Sequence, residues 1–208
     1  MRLLLFLLLA IIILSLAECS AVEGFTSSAI YLLGDSTLAN GKYVETDASV
    51  AERLRANGET VIELAMDGCP VRGVESQLKH VRCKPAVVVV SVGGNNILHQ
   101  TNFERSHWEK ALDKEFASYK RIVDKLITCS ESRIILLDVY YPVDPEYQKY
   151  HPLIKYWNSM VYKYAEERDL RMRKISRSLT SSDDFVGGVE PSASGGAKIA
   201  TGILKAKG

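Results

Sequence analysis

The stretch IYLLGDS, residues 30–36, decides the fold class of this chain. Its apolar run is short and continuous, and it stops at a glycine followed by two small polar residues. Short continuous apolar runs are typical of strands in a parallel sheet that helices cover on both faces. The sequence therefore predicts a buried strand over Ile30–Leu33, with Gly34, Asp35 and Ser36 forming the turn at its carboxyl end.

Similar runs alternate with helical patterns along the rest of the chain. The other predicted strands are Thr60–Leu64, Ala86–Val92, Arg133–Tyr141 and, from a weaker signal, Leu170–Ile175. The predicted helices are Ala48–Ala56, Val74–Val81, Trp108–Thr128, Leu153–Arg168 and Ser192–Lys205. This alternation predicts a three-layer α/β/α sandwich around a parallel sheet of about five strands. Because there is no internal repeat or low-complexity linker, residues 22–208 are expected to form a single domain.

The N-terminal residues differ in kind from the rest. Met1-Arg2 gives a short basic start, and residues 3–16 are apolar except for Ser15 before small residues follow. This layout is typical of a secretory signal peptide, which we assign to residues 1–21. The apolar run is shorter than the roughly 20 residues that a spanning helix needs. We therefore expect a secreted or extracytoplasmic protein with no integral membrane span after signal removal; the alternative is tethering by an uncleaved signal anchor.

The composition argues against several classes of partner. The 26 Lys and Arg residues nearly balance the 25 Asp and Glu residues, so there is no basic footprint for nucleic acid. Past residue 21 the cysteines are Cys69, Cys83 and Cys129, which allow at most one internal disulfide and leave its pairing open. Their spacing does not suggest a metal site, and no cofactor is expected.

Ligands of open α/β sheets bind at the carboxyl ends of the strands. Four segments fall there: residues 34–36, Asp67-Gly68, the sequence GGNN at residues 93–96, and the loop at residues 140–150. Together they offer a hydroxyl, closely approaching backbone N–H groups and a side-chain amide. Those are the parts of an acyl-transfer site, in which a serine attacks an ester carbonyl and fixed donors stabilise the oxyanion.

These segments resemble the motif blocks of the GDSL, or SGNH, hydrolases, a family of esterases, lipases and deacetylases on a flavodoxin-like α/β/α fold. Residues 34–38, GDSTL, resemble the first block, and residues 191–200, PSASGGAKIA, resemble the stretch that opens the last helix. The resemblance implies that Ser36 is the nucleophile. It also implies that the Ser36 N–H, Gly68 and the Asn95 side chain form the oxyanion hole, with Asn96 replacing the usual Asp.

The chain departs from the family at the residues that should activate the nucleophile. The family carries Asp-x-x-His just before the Pro-Ser pair, and the matching positions here are Gly187 and Glu190. In a first interpretation Glu190 is the base, with a pKa raised by burial above its usual value of about 4.3. In a second, His99 or His151 reaches the crevice from a neighbouring strand end. In a third, catalysis is lost and the crevice binds a glycan or an acylated ligand.

Two further carboxylates enter the prediction as accessory groups. Asp35 is expected to stabilise the turn, and Asp184 is a candidate crevice carboxylate. The sequence thus predicts a serine ester hydrolase that forms an acyl-enzyme on Ser36, with Glu190 as the first candidate base. Its substrate would be a small-molecule, glycan or lipid ester, such as a short-chain ester, a lipid ester or an O-acetyl sugar.

Overall fold

The computed structural model describes residues 29–82, 87–128 and 132–208. Its strands are β1 (Ile30–Gly34), β2 (Val61–Glu63), β3 (Val87–Ser91), β4 (Arg133–Leu137), β5 (Arg171–Arg173), β6 (Phe185–Val186) and β7 (Glu190–Pro191). Its α-helices are α1 (Val50–Ala56), α2 (Val74–Leu78), α3 (Gly94–Leu98), α4 (Arg105–Thr128), α5 (His151–Glu167) and α6 (Ala193–Lys207). The predicted signal peptide, Cys83, Cys129 and Ala86 at the start of the third predicted strand lie outside the described residues.

Five of the strands form one parallel sheet in the order β2-β1-β3-β4-β5. This confirms the predicted parallel sheet of about five strands and the three-layer class. The sheet order reverses direction beside β1, so β1 and β3 neighbour each other although β2 lies between them in sequence. Such a switch point opens a crevice at the carboxyl ends of the two strands.

Alternate residues of the central strands pack into two separate hydrophobic cores, one on each face of the sheet. Tyr31, Leu33, Val88 and Val90 belong to the core that includes the buried faces of α4 and α5. Their neighbours Ile30, Leu32, Val87 and Val89 belong to the core that includes the buried residues of α1 and α6. Burial on both faces explains why these strands read as continuous apolar runs.

The structure differs from the sequence prediction at several element ends. Strand β4 stops at Leu137, four residues before the predicted end, because the Val139 peptide hydrogen-bonds to the Asn158 side chain through both its N–H and its carbonyl oxygen. The GGNN segment, read as a loop, begins the single-turn helix α3. The small antiparallel hairpin β6–β7 was not predicted at all.

Candidate active site

The turn after β1 holds Ser36 at the switch point. Gly34 has a φ of +131°, and a Cβ there would lie 1.7 Å from the Ser91 carbonyl oxygen, so only glycine fits. The Asp35 N–H then donates to the Ser91 carbonyl oxygen at 3.1 Å, and the Leu38 and Ala39 N–H groups donate back to the Asp35 carbonyl oxygen. The close approach of β1 to β3 therefore forces the chain to leave the sheet at Gly34 and fixes the position of Ser36.

A buried glutamine secures this turn, and the sequence analysis did not identify it. Gln77 on α2 accepts from the Gly34 N–H at 2.8 Å and donates to the Gly34 carbonyl oxygen at 2.9 Å. Its amide also contacts the Cys69 sulfur at 3.3 Å. A glutamine on a short helix carries no sequence signal for such a contact, because its partner lies 43 residues away.

The groups expected to bind an oxyanion are only partly assembled. Among the described residues no hydrogen bond engages the Ser36 N–H. Asn95, at the start of α3, lines a cleft that Ser36 also lines. The Asn95 amide donates a long bond of 3.4 Å to the Cys69 carbonyl oxygen. Gly68 is not among the residues that line the cleft.

Glu190 lies against the nucleophile. Both residues line one cleft. Burial raises the pKa of Glu190 above its ordinary value; the nearby Ser36 side chain opposes this rise, and the charge of Asp67 adds to it. Oxygen Oε2 of Glu190 is buried and has no partner among the described residues. A carboxylate with a raised pKa is a stronger base than an ordinary glutamate.

The remaining walls of the cleft are apolar. It encloses about 430 Å³, part of it open to solvent, and its apolar lining consists of Ile97, Leu98, Val139, Pro142, Ile154 and Val189. The lining thus combines a hydroxyl, an amide and a carboxylate with apolar side chains suited to a hydrocarbon group.

Comparison with known families agrees with this geometry. The model of the GDSL-like Lipase/Acylhydrolase family matches residues 32–197, which is more than half of the chain. The chain belongs to this family. The match spans the nucleophile turn, the GGNN segment and Glu190, and it stops within α6. Members of the GDSL-like family are ester hydrolases.

Solved structures of the same type share the fold. A lipase from a goat rumen metagenome superposes with a TM-score of 0.72 at 15% identity, covering 86% of this chain and 97% of that one. A lipolytic G-D-S-L family protein from Veillonella parvula gives a TM-score of 0.64 at 20% identity, with coverage of 86% and 97%. An acetyl-xylooligosaccharide esterase from Geobacillus gives a TM-score of 0.65 at 16% identity, covering 88% of this chain and 97% of that one. None of the curated protein sequences compared with this chain matches it.

Residues 185–191, which include Gly187 and Glu190, form the β6–β7 hairpin. Gly187 and Gly188 both have positive φ values, 58° and 76°, and the Val189 N–H donates to the Val186 carbonyl oxygen. Two consecutive residues with positive φ suit the turn that matches the twist of a hairpin. A Gly-Gly pair between short apolar runs is a recognised hairpin signal, so this element could have been found from the sequence.

The predicted histidines do not join the cleft. His99 caps the end of α3 and is exposed. His151 is half-buried, and its Nε2 lies 2.9 Å from the Pro142 carbonyl oxygen while its ring packs on Tyr141. Neither ring lines the cleft that holds Ser36. Asn96 also faces elsewhere, since its side chain accepts from the Val71 N–H at 2.9 Å and so holds the loop after β2.

Asp184 is not a cleft carboxylate, contrary to expectation. It is fully buried and lies 2.7 Å from the Lys198 ammonium. The N–H groups of Thr180 and Ser181 and the Ser194 hydroxyl also donate to it. Burial alone would raise the pKa of Asp184, but these hydrogen bonds outweigh it and the pKa is lowered. Asp184 was expected to be a crevice carboxylate, whereas it anchors the start of α6 through Ser194 and Lys198.

Asp35 behaves as predicted in one respect, because its Oδ1 accepts from the Thr37 N–H at 3.1 Å and so supports the turn. Its burial raises the pKa to about 7, against opposing hydrogen bonds from Thr37, and the nearby charge of Glu190 raises it further.

Among the described residues no cluster of His, Cys, Asp and Glu could hold a metal ion. Within that same part of the chain, none of the helices has the length and apolarity to cross a membrane.

Proposed function

We propose that this protein is a serine ester hydrolase in which Glu190 takes the place of the family's histidine as general base. The observation that carries the proposal is the shared position of Ser36 and Glu190 in one cleft, with the serine side chain close enough to the carboxyl to influence its pKa. The raised pKa of Glu190 supports it, because a base is most effective when its pKa lies near the working pH.

In the proposed reaction the Ser36 oxygen attacks the acyl carbonyl carbon while its proton passes to Glu190. The Ser36 N–H and the Asn95 amide stabilise the resulting oxyanion. The C–O bond to the alcohol then breaks, and Glu190 returns the proton to the leaving oxygen. Water attacks the acyl-enzyme in the same way, which releases the carboxylic acid and restores Ser36.

The cleft supports a short acyl group. The six apolar side chains of its lining suit a short hydrocarbon group beside Ser36. The alcohol part of the ester would extend toward the open mouth. We also propose, from the sequence alone, that residues 1–21 direct secretion and that residues 22–208 act as a single domain.

The test is hydrolysis of p-nitrophenyl acetate across pH by the purified protein and three variants. Ser36→Ala should reduce kcat by at least about 10³-fold, and Glu190→Gln by at least about 10²-fold. Asn95→Ala should lower kcat by about 10²-fold through loss of oxyanion stabilisation. The wild-type rate should rise with pH through the raised pKa of Glu190, and this rise should be absent in Glu190→Gln.

Asp183→Asn is the matched control, because it removes one carboxylate charge from an exposed residue near the hairpin. It should leave kcat unchanged. Loss in Ser36→Ala with full activity in Glu190→Gln would show that another group is the base. The absence of Ser36-dependent turnover at every pH would reject the enzyme and favour a protein that only binds acylated ligands or glycans in this cleft.

A further inference from the structure

The hairpin that carries Glu190 is held by side chains from two distant segments. Strands β6 and β7 have two residues each and pair only with one another. A two-stranded hairpin is at best marginally stable by itself. Both peptide carbonyls that flank Glu190 nevertheless accept a hydrogen bond from a buried side chain, one at Val189 and one at Pro191.

Asn40 provides the first of these bonds. It lies four residues after Ser36, is completely buried, and donates from Nδ2 to the Pro191 carbonyl oxygen at 3.2 Å. Its Oδ1 accepts from the Val50 N–H at 2.9 Å, at the first turn of α1. One amide therefore joins the segment after the nucleophile to the residue that follows Glu190. Gly196 of α6 lies against this amide, where a Cβ would come within 2.9 Å of Nδ2.

Tyr140 provides the second bond, from the loop after β4. Its hydroxyl donates to the Val189 carbonyl oxygen at 2.7 Å, and the side chain is almost fully buried. Burial, followed by the charges of Glu190 and Asp35, raises the pKa of Tyr140 well above its ordinary value, so the hydroxyl keeps its proton. The Thr37 N–H donates to Asp35 Oδ1, and Tyr140 lines the same cleft as Thr37 and Asp35, which places this tyrosine beside the nucleophile turn.

We propose that Asn40 and Tyr140 are positioning residues that together fix the Glu190 carboxylate against Ser36 by gripping the carbonyls on either side of it. This inference rests on the proposed function, since it gives Glu190 a task that needs accurate placement. A base misplaced by about 1 Å can cost about 10²-fold in rate. The hairpin alone lacks the length to supply that accuracy, and the two buried donors supply it from opposite sides.

Asn40→Asp separates this role from simple support of the fold. The aspartate keeps an oxygen that accepts from the Val50 N–H, but it loses the donor to Pro191. We expect kcat for p-nitrophenyl acetate to fall about 10- to 100-fold with KM changed less than about 3-fold. Amide hydrogen exchange at Val189 and Glu190 should accelerate, because the hairpin opens more readily.

Tyr140→Phe removes only the hydroxyl and should lower kcat about 10-fold. If the two donors fix the same carboxylate, the double variant should lose less than the product of the two single losses. Asn57→Asp is the matched control. Asn57 also donates from Nδ2 to a helix carbonyl, that of Arg53 at 2.8 Å, but it is exposed at the far end of α1. It should leave kcat and hairpin exchange unchanged.

Two failures can be told apart. If wild-type turnover depends on Ser36 and Glu190 while Asn40→Asp keeps its kcat and loses only thermal stability, the positioning role is rejected and the proposed function stands. If wild-type turnover does not depend on Ser36, the proposed function itself fails, and the positioning role fails with it. If the losses of kcat in Asn40→Asp and Tyr140→Phe multiply in the double variant, the proposal that the two side chains position Glu190 together is also rejected.

Discussion

The two sides of the Ser36–Glu190 pair are built by different means. The Ser36 side is mainly backbone: Gly34 leaves a five-stranded sheet at a point where only glycine fits, and the turn that follows bonds to β3, with the Gln77 side chain as one further support. The Glu190 side is a hairpin of two-residue strands held by the side chains of Asn40 and Tyr140. The nucleophile is thus placed mainly by the backbone of the sheet, whereas the candidate base is placed by two long-range side-chain contacts.

This difference explains why the motif around Ser36 is easy to recognise and that around Glu190 is not. A backbone conformation that only glycine adopts leaves a mark in the sequence. A buried hydrogen bond between residues far apart leaves none. If this difference is real, substitutions near Ser36 and near Glu190 should change the free energy of unfolding in different ways. The pH dependence of that free energy should also have opposite signs on the two sides.

Gly34→Ala should have the largest effect. The new Cβ would meet the Ser91 carbonyl oxygen at 1.7 Å, so β1 and β3 would have to separate. We expect a loss of at least about 4 kcal/mol in the free energy of unfolding, measured by urea denaturation. Gly58→Ala is the control, because Gly58 has a φ of +83° but nothing near its side-chain position, and it should cost only about 1 kcal/mol. Equal losses in the two variants would show that strain at φ, and not the contact with β3, places the turn.

Asp184→Asn should have the next largest effect, on the side of the hairpin and α6. The lowered pKa of Asp184 means that its folded state binds the proton more weakly than the unfolded state. Its contribution to stability is therefore complete above about pH 4 and is lost as the pH falls further. At pH 7 the variant should lose about 2 kcal/mol in the free energy of unfolding. This is less than for a fully buried ion pair, because Lys198 is partly exposed. Denaturation at a series of pH values, with Asp183→Asn as control, should show the gap to wild type closing in acid.

Asp35→Asn should have the smallest effect and the opposite sign. Because burial raises the pKa of Asp35 to about 7, the folded protein holds a proton there that the unfolded chain releases near pH 4. Wild-type stability should therefore fall as the pH rises from about 4 to about 7. The Asn variant lacks this decrease, so its free energy of unfolding relative to wild type should rise as the pH rises from about 4 to about 7. Exposed Asp47 gives the control, Asp47→Asn. A gain that is the same at every pH would mean that Asp35 does not titrate in this range.

The sequence was a good guide to the sheet and to the nucleophile. The five parallel strands follow from their continuous apolar runs, since burial on both faces removes the polar alternation. The position of Ser36 at a strand end follows from the rule that places ligands at the carboxyl edge. Gln77, Asn40 and Tyr140 could not be found in this way, because each acts through a bond to a residue far away in the chain.

Asp184 and the two histidines were expected in the cleft, and they lie outside it for a related reason. Position near a strand end says where a backbone segment lies, and it does not say which way a side chain turns. Asp184 turns inward to Lys198, and His151 turns to the Pro142 carbonyl. The direction of each side chain depends on partners that the local sequence does not identify.

The bond between Asn40 and Pro191 also bears on how the protein folds and comes apart. It joins residues 151 positions apart, so it can form only after the chain has closed a long loop. We therefore expect the nucleophile turn to be in place before Glu190 arrives beside it. The same order in reverse means that mild denaturant should abolish hydrolysis before the central sheet melts, because the hairpin is a separate unit of low local stability.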